Sequence, residues 1–273
     1  MTIIDGRVRL RTEALLGFWN AETNPGLKDY ADKYHMQNRL SVMDVSELIS
    51  LAGESGIEKL LVYGSTPSEN THILNLSQEH TALIPVGGIG LGAGIRKALE
   101  EIVRLKAGNI AAIDFSFLCD KNVNDRELYA LYAYCELNEL PVIIHSGIHY
   151  SRDSNMWKAQ PQYFDEIAVD FPELKIIMSH GGNGFGPSVL AVTQRHPNIY
   201  LEFSAMRPKY MAPEFIQAAN TYLQDRCIFG TDYPLTDFKH QIDLWQYSLR
   251  EIVWEKFFHK NILNALYEKP VSK

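Results

Sequence analysis

Pro141-Val-Ile-Ile-His145-Ser-Gly147, Lys175-Ile-Ile-Met-Ser-His180-Gly-Gly182 and Cys227-Ile-Phe-Gly-Thr-Asp232-Tyr-Pro234 share one design. Each opens as an apolar run. Each then delivers one polar side chain able to bind a metal or move a proton, and breaks at once into Gly or Pro. A lone His or Asp in such a place is most simply a hydrogen-bonded core residue or a helix cap. Three of them at the ends of three strand-like runs point to one site built by several strands.

Outward from these runs, strands and helices take turns along the chain. The strand-like runs are Thr2–Ile4, Glu58–Tyr63, Ala82–Val86, Ile110–Phe117, Pro141–His145, Lys175–Ser179, Ile199–Phe203 and Cys227–Gly230. Most are rich in Val and Ile on both faces, as in parallel strands covered by helices. Helical spacing marks Ser41–Ala52, Ile95–Leu105 (stopped by Gly108), Arg126–Leu137, Tyr163–Asp170, Val189–Arg195, Pro213–Leu223 and a long stretch from Asp237 to Tyr267. Asn124-x-x-Glu127 reads as the capping box of the third of these intervals. Eight such β/α units with no break in composition predict a (β/α)8 TIM barrel forming one domain over residues 1–273, with a doubly wound open sheet as the rival. Residues 11–39 do not fit the repeat. They read as an excursion after the first strand, either a lid over the barrel mouth or an oligomer contact.

Composition narrows the class. The 273 residues are 46% hydrophobic and 22% charged, with net charge −7. No basic stripe suits nucleic acid or an anionic membrane, and no apolar run is long enough to span a bilayer. The first residues lack a signal-peptide core. Cys119, Cys135 and Cys227 are widely spaced and read as reduced structural thiols, which fits the cytoplasm.

His145-x-Gly, His180-Gly-Gly and Gly-Thr-Asp232-Tyr-Pro resemble the last three motifs of the amidohydrolase superfamily. More narrowly they resemble the amidohydrolase-related group around aminocarboxymuconate semialdehyde decarboxylase. Gly56-Ile-Glu-Lys-Leu-Leu-Val62 looks like that group's passage into its second strand, and Asn261-Ile-Leu-Asn264-Ala-Leu-Tyr267 like its C-terminal helix. The resemblance implies a metal ligated by an Asp-x-His-x-His string on the first strand. The matching stretch here is Asp5-Gly6-Arg7-Val8-Arg9. Arginine has no lone pair for a metal and would repel one. His145, His180 and Asp232 remain as metal ligands only if other donors join them. No cofactor is therefore expected, with a divalent ion such as zinc as the alternative.

Two guanidinium groups two residues apart on a strand face one way and suit a carboxylate or phosphate. The expectation is a hydrolase acting on a small carboxylated molecule of lactone, ester or amide type. Asp232 would be the general base. His145 and His180 would polarise the carbonyl or steady the oxyanion. Arg7 and Arg9 would anchor the substrate carboxylate, and Trp19, His149 and Tyr150 would touch substrate. The alternatives are a decarboxylase of the same superfamily and a non-catalytic metabolite-binding barrel. Asp114 and Glu202, charges inside apolar runs, would answer Arg7 or Arg9 across the barrel. Gly88-Ile-Gly90-Leu-Gly-Ala93 mimics a dinucleotide loop but reads as a barrel loop. The calcium-like start Asp120-Lys-Asn122 lacks the later ligands. A homo-oligomer is left open.

Overall fold

Runs of Val, Ile and Leu become eight parallel strands in the computed structural model: β1 Ile3–Val8, β2 Ile57–Tyr63, β3 Leu83–Gly88, β4 Ala112–Asp114, β5 Val142–Gly147, β6 Ile176–Asn183, β7 Ile199–Glu202 and β8 Cys227–Ile228. The structure describes residues 1–16, 29, 31–33, 36, 39–115, 121–148 and 155–268. Each strand pairs with the next in sequence order, and all pairs are parallel. Among the described residues, a helix of at least eight residues follows each strand: α1 Val45–Glu54, α2 Pro67–Glu79, α3 Ile95–Ala107, α4 Tyr129–Leu137, α5 Pro161–Asp170, α6 Pro187–Arg195, α7 Pro213–Asn220 and α8 Phe238–Ser248. A shorter helix, α9 Asn261–Tyr267, follows a π-helical turn at Lys256–Lys260. This is the expected (β/α)8 barrel.

The sheet closes along a seam between its first and last strands. Gly6 N donates to Phe229 O at 3.0 Å, Asp232 N to Arg7 O at 2.9 Å and Arg9 N to Tyr233 O at 2.8 Å. The strands approach so closely that a Cβ on Gly6 would lie 2.7 Å from Phe229 O. Inside the barrel, Ile4, Leu61, Ile84, Ala112, Ile143, Ile177, Tyr200 and Ile228 form one apolar layer, sealed below by Ile262 and Leu266 of α9. Two residues further along four of these strands, the inward positions hold Asp114, His145, Ser179 and Glu202. The period of two therefore carries the interior from a dry floor to a polar mouth.

Several boundaries differ from expectation for identifiable reasons. β1 runs on to Val8, and a register irregularity between Asp5 and Val8 breaks its alternation there. α2 carried no sequence signal because only Ile73, Leu74 and Asn70 are buried on it; Thr66 and Pro67 start it instead. The proposed capping box is not used. Asp125 caps the turn by accepting from Glu127 N, while Asn124 Nδ2 reaches Glu166. The stretch from Asp237 to Tyr267 is not one helix but α8, a 3-10 turn, the π turn and α9. Of the 11–39 excursion, only scattered residues and the helical turn Glu13–Leu16 are described. Cys119 also lies outside the described residues, whereas Cys135 and Cys227 are buried free thiols. Among the described residues, no helix is long and apolar enough to cross a membrane.

Candidate active site

At the carboxyl end of the barrel, the seam brings together residues from both ends of the chain. Arg7 Nε lies 3.3 Å from Asp232 Oδ1, and its Nη2 lies 3.7 Å from Asp114 Oδ2. Its guanidinium carbon sits 4.5 Å from the centre of the Tyr63 ring. The register irregularity in β1 aims Arg7 at these groups, which is what such bulges do next to sites. Burial disfavours the charged guanidinium, yet Asp114, Tyr63, Asp232 and Glu202 together raise its pKa above the ordinary value. Arg7 is thus a fixed cation. Its Nη1 is buried and makes no hydrogen bond to any described residue.

Arg9 lies beside this group. Its Nη1 donates to Ser65 Oγ at 3.0 Å and stands 4.0 Å from Glu69 Oε2. Burial and the neighbouring Arg7 charge lower its pKa. The two like charges lie side by side, each facing carboxylates: Asp232 and Asp114 for Arg7, Glu69 for Arg9.

Asp5 answers neither guanidinium. It accepts from Thr231 N at 2.9 Å, Thr231 Oγ1 at 2.5 Å and Arg7 N at 3.1 Å, and so ties the last strand's loop to the first strand. Burial, only partly offset by these hydrogen bonds, pushes its carboxyl up to about 7.

His145 and His180 face each other with ring centres 4.5 Å apart. His180 is 6% exposed, and its Nδ1 lies 3.0 Å from Ser204 O. Both His180 and Asp232 hold left-handed backbone, with φ of 62° and 61°. Non-glycine residues in that region cost energy and cluster at functional sites. Asp114 partners Arg7 as expected. Glu202 is held by hydroxyls instead: Ser179 Oγ at 3.0 Å and Ser204 Oγ at 2.9 Å. Its carboxyl is raised by burial against the charges of His180 and Arg7.

The structure therefore gathers Arg7, Arg9, His145, His180 and Asp232 at one mouth. Trp19, His149 and Tyr150 lie outside the described residues. Sequence reasoning missed Tyr63, Ser179, Ser204 and Thr231. A cavity of about 750 Å³ lined by Ile4, Leu83, Ile110 and Leu263 opens at the opposite end and is separate from this group. Among the described residues no three His, Cys, Asp or Glu side chains are placed to share a metal ion.

Comparison with known proteins adds lineage. A family model described as amidohydrolase matches residues 21–266. An uncharacterized TIM-barrel protein from Bordetella bronchiseptica is 26% identical, with a TM-score of 0.82 over 98% of this chain and 99% of that one. 5-Carboxyvanillate decarboxylase from Sphingomonas paucimobilis is 14% identical, with a TM-score of 0.71 over 97% and 98%. 4-Oxalomesaconate hydratase from Rhodopseudomonas palustris is 18% identical, with a TM-score of 0.66 over 97% and 96%. At these identities the two enzymes share the fold. No curated protein sequence matches.

Proposed function

This chain belongs to the amidohydrolase family, and from that premise we propose a hydrolase acting on a small carboxylated lactone, ester or amide without a tightly bound metal. One observation carries the reading: Arg7 is a buried permanent cation against Asp232, with Nη1 still unmet. A substrate oxygen of carboxylate or carbonyl type supplies the missing acceptor, and Arg9 adds a second positive charge. Asp232, oriented by the guanidinium 3.3 Å away, takes a proton from the attacking water. The water oxygen bonds to the carbonyl carbon, the carbonyl–heteroatom bond breaks, and the proton passes on to the leaving group. The developing oxyanion is stabilised by a charge already in place.

The donor set does not suit a divalent ion. Such an ion would share Asp232 with a guanidinium 3.3 Å away, and no described trio of donors surrounds it.

The test is turnover of carboxylated lactones, esters and amides, followed by acid release. Asp232→Asn is expected to lower kcat by about 100-fold or more. Arg7→Gln is expected to raise KM for substrates that carry a carboxylate. Elemental analysis is expected to find no stoichiometric metal. Unchanged turnover in Asp232→Asn sinks the assignment. Carbon dioxide release without hydrolysis replaces it with decarboxylation, the activity named for the Sphingomonas neighbour. A carboxylate that raises Tm but is never converted replaces it with a binding role.

A further inference from the structure

We infer that Glu202 is a positioning residue that, through Ser204, fixes His180 as a proton acceptor at this mouth, a use that rests on the proposed hydrolytic reading while the geometry stands apart from it. Glu202 lies at the end of β7 and is 1% exposed. Its Oε1 accepts from Ser204 N at 2.5 Å, and its Oε2 from Ser179 Oγ at 3.0 Å and Ser204 Oγ at 2.9 Å. Ser204 has one hydroxyl hydrogen, and Glu202 takes it. The hydroxyl therefore turns a lone pair towards His180 Nδ1, 3.1 Å away. The Ser204 carbonyl, 3.0 Å from the same nitrogen, can only accept. Two acceptors on one nitrogen require that Nδ1 carry the hydrogen.

A neutral imidazole has a single N–H, so Nε2 is bare. A bare Nε2 takes a proton and cannot donate to an oxyanion, which reverses the polarising part expected of His180 in a hydrolase. Gly230 makes the arrangement possible, because a Cβ there would overlap Glu202 Oε1.

The test needs no substrate. Protein labelled with 15N-histidine is studied by long-range 1H–15N NMR over a pH series into the alkaline range, and the tautomer is read where the ring nitrogen shifts no longer change with pH. The His180 signals are assigned by their loss in His180→Gln. Wild type is expected to show His180 as the Nδ1–H tautomer. In Glu202→Gln, the amide oxygen still takes Ser204 N–H, so the NH2 group faces the two hydroxyls. Ser204 then accepts from the amide and releases its hydrogen towards Nδ1. The Nε2–H form is expected to rise from undetectable to a share comparable with Nδ1–H. Adding Ser204→Ala removes the hydroxyl, keeps the carbonyl, and is expected to restore Nδ1–H. An Nε2–H wild type overturns the inference even if Glu202→Gln does not fold. A tautomer unmoved in Glu202→Gln, or unrestored in the double variant, overturns it as well. Loss of hydrolysis with the Nδ1–H tautomer intact would count against the proposed reaction and not against this relay.

Discussion

Asp5 sits where two effects oppose each other. Complete burial favours the neutral acid, and three donors favour the carboxylate; burial prevails, and the group is pushed up to about 7. Its contribution to stability is therefore fully present below the unfolded value of 3.8 and is lost as pH rises through about 7. A raise of this size corresponds to on the order of 4 kcal/mol. Asp5→Asn cannot ionise and is expected to gain on wild type as pH rises, so the Tm difference between them shifts towards the variant from pH 5 to pH 8. A difference that stays flat with pH disproves this account of Asp5. The same residue scale shows what was readable. His145, His180 and Asp232 stood out as polar endings of apolar runs. Tyr63 ends such a run just before Gly64 and was legible by the same rule. Ser179 and Ser204 were not, since a serine at a strand end is common and theirs matter only through Glu202, which reaches them across strands.

Elements were legible wherever an apolar face repeats. α3 buries Ala98, Ile102 and Leu105 and ends at Gly108, close to the bounds its sequence predicts. α2 lacks such a face, so its start rests on the Thr66 hydroxyl accepting from Glu69 N. The C-terminal stretch misled because its helical spacing continues across breaks made by distant contacts. Arg250 N donates to Asn220 Oδ1 at 2.7 Å, which halts the chain after α8. Asn261 Nδ2 then reaches Gln224 O and Cys227 O, docking α9 under the barrel. Caps make a measurable prediction here. Asp237 accepts from His240 N at 2.9 Å at the start of α8. Asp237→Ala is expected to cost about 1 kcal/mol in urea unfolding with an unchanged m-value. A loss near zero would mean that tertiary packing alone holds the helix end.

Across the whole molecule, the barrel alternation was visible in sequence because both layers are apolar, and the count of eight units implied closure, whereas the residues that pair β8 with β1 were not visible. Two residues of β8 give little periodicity, and their pairing is decided by a strand at the other end of the chain. The outer layer is pinned near the seam by Trp245 of α8, fully buried between Phe203 at 5.3 Å and Phe257 at 4.8 Å. Trp245→Ala is expected to cost about 3–5 kcal/mol in equilibrium unfolding, and a loss under 1 kcal/mol would show that the cluster is not part of the stabilising core. Asp5 and Thr231 meet across 226 positions of sequence. Arg7 and Asp232 stand at the same junction, so β1 waits for β8 before the mouth exists. A chain made only as far as β7 carries Arg7 without Asp232. Completion of the sheet and the appearance of the polar mouth are then one and the same event.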